Sequence, residues 1–171
     1  MVELPHWAAQ HEASALCHDG DLFVLGRDCA TNASYLQIRV GRRKEVDVRR
    51  ANVRHSRHLD TPDIDFNPVT GRFEWVRSFR EEQLIDLWSI DPADWEAAEW
   101  RFEGVLFARR KEGYFYKEAD GFHPAGGVID AEAGVQHIFF YSGHPNGPAG
   151  TFRLTRSLDT PALSAFLTPS R

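Results

Sequence analysis

The sequence predicts an all-β domain built from repeated antiparallel blades, and three observations carry that prediction. A turn rich in Asp, Asn and Gly followed by an aromatic strand and then a second strand occurs three times. It opens at Asp19-Gly20-Asp21 before Leu22–Leu25, at Asn67–Gly71 before Arg72–Val76, and at Asp130–Gly134 before Val135–Tyr141. Segments with helical periodicity are scarce, whereas short runs rich in aromatic and β-branched residues recur between Gly, Pro, Asp and Asn. Self-similarity at a spacing of about 50 residues points to blades or stacked repeats.

Taken in order, residues 4 to 16 predict one short helix around Ala8–Ala15. Strands are then expected at Leu22–Arg27, Tyr35–Val40, Val46–Val53, Phe73–Phe79, Leu84–Ile90, Phe102–Ala108, Tyr114–Lys117, Val128–Asp130, Gln136–Tyr141 and Thr151–Thr155. Several alternate with period two, such as Phe73 and Trp75 against Arg72 and Glu74. Asp91 can cap a helical turn that begins at Pro92, a residue suited to the first helical position, and Pro161–Phe166 can form another. Short connections imply that each strand pairs antiparallel with its sequence neighbour. Trp75, Trp88, Phe102, Phe139 and Phe140 are the expected core aromatics. Ten or so strands in one domain imply a barrel, a sandwich or propeller blades.

The chain has 171 residues, enough for a single domain spanning 1–171 with a sizeable core. A formal net charge of −5 argues against general nucleic-acid binding. No window approaches the roughly 18 apolar residues of a membrane helix, and no basic-then-apolar leader opens the sequence. Cys17 and Cys29 are too few for a disulfide framework and read as ordinary buried thiols, while Asn32-Ala33-Ser34 is a glycosylation sequon that arises often by chance. The compartment stays open, with cytoplasm favoured.

Asp60–Trp75 looks like the blade opening of five-bladed β-propeller glycosidases of the arabinanase and β-xylosidase type, and Leu87–Trp95 resembles their blade closing. Arg156–Asp159 is a weaker echo. Phe102–Tyr116 is similar to their segment around the general acid, with Val105 where a Pro is expected, and His123–Ile129 resembles the start of another blade. The resemblance implies three to four antiparallel propeller-like blades, at about 45–50 residues each. Five blades need more chain than this, so a complete propeller would require self-association. The resemblance further implies Asp63 as base and Glu103 as acid, with aromatics for sugar stacking. Trp75, Trp88, Tyr114, His123 and Tyr141 are the candidate substrate contacts. A third carboxylate, used by the family on its own blade, finds no counterpart, which favours sugar binding over hydrolysis.

Blander readings stand beside these. Asp63 can simply cap a turn, and Glu103 can be a surface residue. His55, His58 and Asp60 are the best metal-ligand group, yet their spacing does not force a shared face, so neither metal nor cofactor is expected. Residues 42–57 hold seven of the twenty basic side chains (Arg42, Arg43, Lys44, Arg49, Arg50, Arg54, Arg57), readable as an anion site or as a solvated hairpin face. The competing fold is a closed calycin-like β-barrel that binds an apolar small molecule, or guides its cyclisation or isomerisation. A third possibility is an assembly protein whose blades exist for contacts.

Overall fold

The computed structural model describes residues 10–28, 34–53, 61–79, 84–108, 123–142 and 150–159. They form eleven strands: β1 (Gln10–His18), β2 (Asp21–Asp28), β3 (Tyr35–Val40), β4 (Val46–Arg50), β5 (Asp63–Asn67), β6 (Arg72–Phe79), β7 (Leu84–Ile90), β8 (Arg101–Ala108), β9 (His123–Asp130), β10 (Val135–Ser142) and β11 (Gly150–Ser157). They build three separate antiparallel sheets, ordered β1-β2-β3-β4, β5-β6-β7-β8 and β9-β10-β11. We call these blades I, II and III. Every pairing joins sequence neighbours, as short connections dictate. No sheet closes on itself, so the barrel alternative is overturned and the chain is a set of propeller-like blades.

The repeated turn is the link between the first and second strand of each blade, and its chemistry recurs. In blade II the Asn67 side-chain oxygen accepts from the N–H groups of Val69 (2.9 Å) and Thr70 (3.3 Å), and Gly71 closes the turn at φ 68°. In blade III the Asp130 carboxylate accepts from Ala133 N–H at 2.9 Å, and Gly134 closes at φ 67°. Blade I uses the two-residue version, Asp19 and Gly20, both with positive φ as a tight hairpin requires.

Two elements depart from expectation. Gln10–Ala15, expected as helix, lies within β1, because its Ala, Ser and Leu side chains pair along β2 from His18↔Asp21 outward. Residues 63–67, to which the sequence assigns no strand, form β5. The turn after Ile90 matches expectation as a 3-10 helix over Pro92–Ala97, capped by Asp91, which accepts from Ala93 N–H at 2.9 Å. Tyr114–Lys117 and Pro161–Phe166 lie outside the described residues. Cys17 is exposed, not buried.

Two cores hold the blades together, and period-two alternation decides which residues enter each. On blade II, Ile64, Phe66, Phe73 and Trp75 face blade I, where they meet Phe23, Leu25 and Tyr35, and Trp95 and Trp100 of the β7–β8 connection pack into the same core. Val76, Ile85, Leu87 and Leu106 face blade III and meet Ile138 and Phe140. Blade II is thus covered on both faces, which explains the near-continuous burial of β6 and β7. Trp75 is fully buried, edge-on to Tyr35 (4.6 Å between ring centroids) and Trp100 (5.4 Å). Phe140 is core, but Phe102 is half exposed, because β8 is the outer edge of its sheet.

One ion pair is buried with the aromatics. Arg77 donates to both carboxylate oxygens of its cross-strand partner Asp86, at 3.0 and 2.6 Å, and its guanidinium lies over the rings of Trp75 and Trp88. The bidentate fork and the ring faces offset the desolvation of both charges.

Candidate functional site

The first strands of the three blades lie innermost, with β5 packed against both β1 and β9. In propellers such strands surround the central channel. Asp63 and Asp65 stand two apart on β5, so both side chains leave the same face of the strand, toward blade III. Gly127 of β9 lies opposite. A Cβ added to it would sit 3.0 Å from Asp63 Oδ2 and 3.0 Å from Asp65 Oδ2, so the two oxygens are at most 6 Å apart. A side chain there would be tight and would require these polar groups to give by a few tenths of an ångström.

Burial raises the Asp63 carboxyl to about 6. The neighbouring Asp65 charge adds to this, while the Gly127 N–H, donating to the carboxyl, opposes it. Its Oδ2 is buried with no partner among the described residues. Burial also raises Asp65, with the Gln136 amide and the Arg156 charge acting in the opposite sense. Gln136 Nε2 donates to Asp65 Oδ2 at 3.1 Å, while its Oε1 accepts from Arg156 Nε at 2.8 Å. Arg156 also pairs with Glu74. Glu74 accepts from Asn67 Nδ2 at 2.9 Å, and that amide also reaches the Leu158 carbonyl at 3.0 Å. A continuous polar seam therefore runs between blades II and III from Asp65 to the Asn67 turn.

At the far end of this seam a groove of about 340 Å³ opens, bounded by Arg72, Arg101 and Glu103 of blade II and by Leu158 and Asp159 after β11. Ser89 accepts from Arg72 Nε at 2.8 Å and donates its own hydroxyl to Glu103 Oε1. Arg101 Nε also donates to that oxygen, at 2.7 Å.

The residues singled out in the sequence separate here. Asp63 lies on β5 and Glu103 on β8, at opposite edges of blade II. Three strand spacings put their backbones about 14 Å apart. Glu103 lines the groove; Asp63 does not. Trp75 is enclosed in the core and offers no ring face to a ligand, which corrects its reading as a sugar contact. Trp88 is half-buried, 5.2 Å from the Phe102 ring. His123 and Tyr141 are cross-strand partners on β9 and β10. Tyr114, His55, His58 and Asp60 lie outside the described residues, and among those described no cluster of three metal-ligating side chains occurs. No helix there is long and apolar enough to cross a membrane.

The basic stretch resolves into a hairpin with acidic neighbours. Arg49 pairs with Asp47 (2.7 Å) and Arg50 with Asp28 (3.3 Å), while Arg42, Arg43 and Lys44 sit exposed in the turn. Arg54 and Arg57 lie outside the described residues. Sequence reasoning missed Asp65, Gly127, Gln136 and Arg156. The signal for Asp65 was present: Asp-x-Asp in a strand is a same-face carboxylate pair, legible once 63–67 is read as strand.

No protein-family model matches the sequence, and no curated protein matches it. Among solved structures, a GH43 β-1,3-galactosidase in complex with galactodeoxynojirimycin is similar over 86% of this chain and 41% of its own, with a TM-score of 0.57 at 12% identity. The likeness defines the fold class, a propeller-like arrangement of blades related to that of a glycosidase. The chain spans well under half the length of that enzyme.

Proposed function

We propose that this chain is a carbohydrate-active, propeller-like protein whose chemistry centres on Asp63. The observation that carries the reading is the position of that carboxyl: it stands on the inner strand of the middle blade, beside a second carboxyl, in a fold like that of a galactosidase. Two carboxyl groups with unequal proton affinities are what glycosidic-bond chemistry requires. Asp63, raised to about 6, keeps its proton to a higher pH than an ordinary carboxyl, and Asp65 is its companion. Glu103, at the other edge of the blade, contacts sugar in this reading and does not share the scissile bond with Asp63. Trp88, Tyr114, His123 and Tyr141 remain proposed sugar contacts, and the ligand is a small saccharide. We further propose that the protein self-associates, with blades of more than one copy contributing to the site.

The test is turnover of aryl β-galactoside, α-arabinofuranoside and β-xyloside by the full chain and by Asp63→Asn, with the solution mass measured alongside. The expected result is turnover on a particle larger than the monomer, with a pH limb near 6, and its loss in the variant. Saccharide binding without turnover reduces the protein to a sugar-binding module. The absence of both binding and turnover refutes the carbohydrate reading.

A further inference from the structure

We propose that the groove between blades II and III is a separate saccharide subsite, recognising a neutral sugar through two adjacent hydroxyl groups, one bound by Arg72 and the other by Glu103. The inference rests on the carbohydrate reading above and adds a second place of contact, away from Asp63. It stands on how the groove's wall is built. Ser89, itself buried, holds both side chains: its oxygen takes the Arg72 Nε bond at 2.8 Å, and its proton goes to Glu103 Oε1. Arg101 binds the same Glu103 oxygen, with Nε at 2.7 Å and Nη2 at 2.6 Å. These bonds leave the two terminal nitrogens of Arg72 and the second oxygen of Glu103 without partners among the described residues. A fork of donors and a carboxylate acceptor are thus fixed side by side on one hydroxyl. Adjacent hydroxyls of a sugar satisfy such a pair, because each hydroxyl both accepts and donates. Both contacts are charge-assisted, and neither side chain has to be ordered on binding.

The charge of the groove selects among polar ligands. Arg72, Arg101 and Arg156 are matched by Glu74, Glu103 and Asp159. An anion in the groove would face the Glu103 and Asp159 carboxylates beside Arg72, so a neutral polyol fits better. A volume of about 340 Å³ lies at the small end of ligand sites, suited to a single sugar unit.

The test follows backbone amide signals by nuclear magnetic resonance. The full chain is titrated with methyl β-galactopyranoside, methyl α-arabinofuranoside, methyl β-xylopyranoside and, as the anionic comparison, glucuronate. At least one neutral glycoside is expected to shift the amides of Thr70, Arg72, Leu158 and Asp159 saturably, and glucuronate to bind more weakly. Arg72→Gln is expected to weaken the neutral sugar about tenfold or more, the scale of one charge-assisted bond. Thr70→Trp, at an exposed turn position on the groove rim, is expected to weaken it likewise and covers the case in which Arg72→Gln fails to fold. Shifts centred on Gly127 and Gln136 with the groove silent would overturn the subsite while leaving the carbohydrate reading intact. Tighter binding of glucuronate, or groove binding indifferent to both variants, overturns the recognition proposed. Silence toward all three glycosides overturns the subsite and, where turnover is also absent, the reading beneath it.

Discussion

Replacing Asp63 by Asn should stabilise this protein, and by an amount that depends on pH. The carboxyl moves from an ordinary value of 3.8 in the unfolded chain to about 6 in the folded one. At about 1.36 kcal/mol per pH unit, keeping it ionised in the fold costs roughly 3 kcal/mol. The sign follows from linkage. Below pH 4 the group is protonated in both states and imposes no penalty. As pH rises from about 4 to 6 the unfolded chain releases the proton while the folded one retains it, so stability falls. Above 6 the penalty is fully present. Asn keeps the shape and an oxygen acceptor for the Gly127 N–H but carries no charge. Urea unfolding at a series of pH values should therefore show wild type and Asp63→Asn nearly equal at pH 4. The variant should be more stable by about 2–3 kcal/mol at pH 8. A difference independent of pH, or a variant less stable at pH 8, would refute the account of Asp63 as a carboxyl strained by burial and by Asp65.

Other perturbations follow from the packing. Trp75→Ala removes the ring that joins Tyr35 to Trp100 and should cost about 3–5 kcal/mol in urea unfolding; a loss under 1 kcal/mol would mean that the interface between blades I and II does not depend on it. Arg77→Ala leaves the buried Asp86 carboxylate without its fork and should also cost about 3–5 kcal/mol. Removing both partners, with Asp86→Ala added, should recover part of that loss, and strict additivity in the double-mutant cycle would count against the pairing.

Much of the fold was legible in the sequence because it rests on local chemistry. The Asx side chain that accepts from the turn N–H groups, and the Gly with positive φ that follows, mark Asn67–Gly71 and Asp130–Gly134 without reference to distant residues. The strands after those turns, β6 and β10, carry aromatics and β-branched residues, so they announce themselves. The inner strands do not. β1 exposes Ala13, Ala15 and Cys17 and carries few large apolar residues, and β5 alternates Ile64 and Phe66 with Asp63 and Asp65. Single-strand propensity reads such segments as helix or turn; pairing with β2 and β6 makes them strands.

The site divides along the same line. Asp63 was singled out because of the motif around it, and the alternation of β5 supplied Asp65 once the strand was known. Gly127, Gln136, Arg156 and Glu74 come from four different strands, and their meeting depends on blade III lying against blade II. Trp75 shows the reverse case: the residue type suggested a sugar platform, whereas packing against Tyr35, Trp100 and Arg77 buries its ring completely. By itself the sequence determined the strand-turn-strand unit and its repetition, because those obey backbone geometry and nearest-neighbour hydrogen bonds. Only the tertiary structure decided which faces are buried between blades, why Asp63 holds its proton toward neutrality, and where Arg72 and Glu103 open a groove. Burial, and the field of groups from other blades, exist only once the blades have packed.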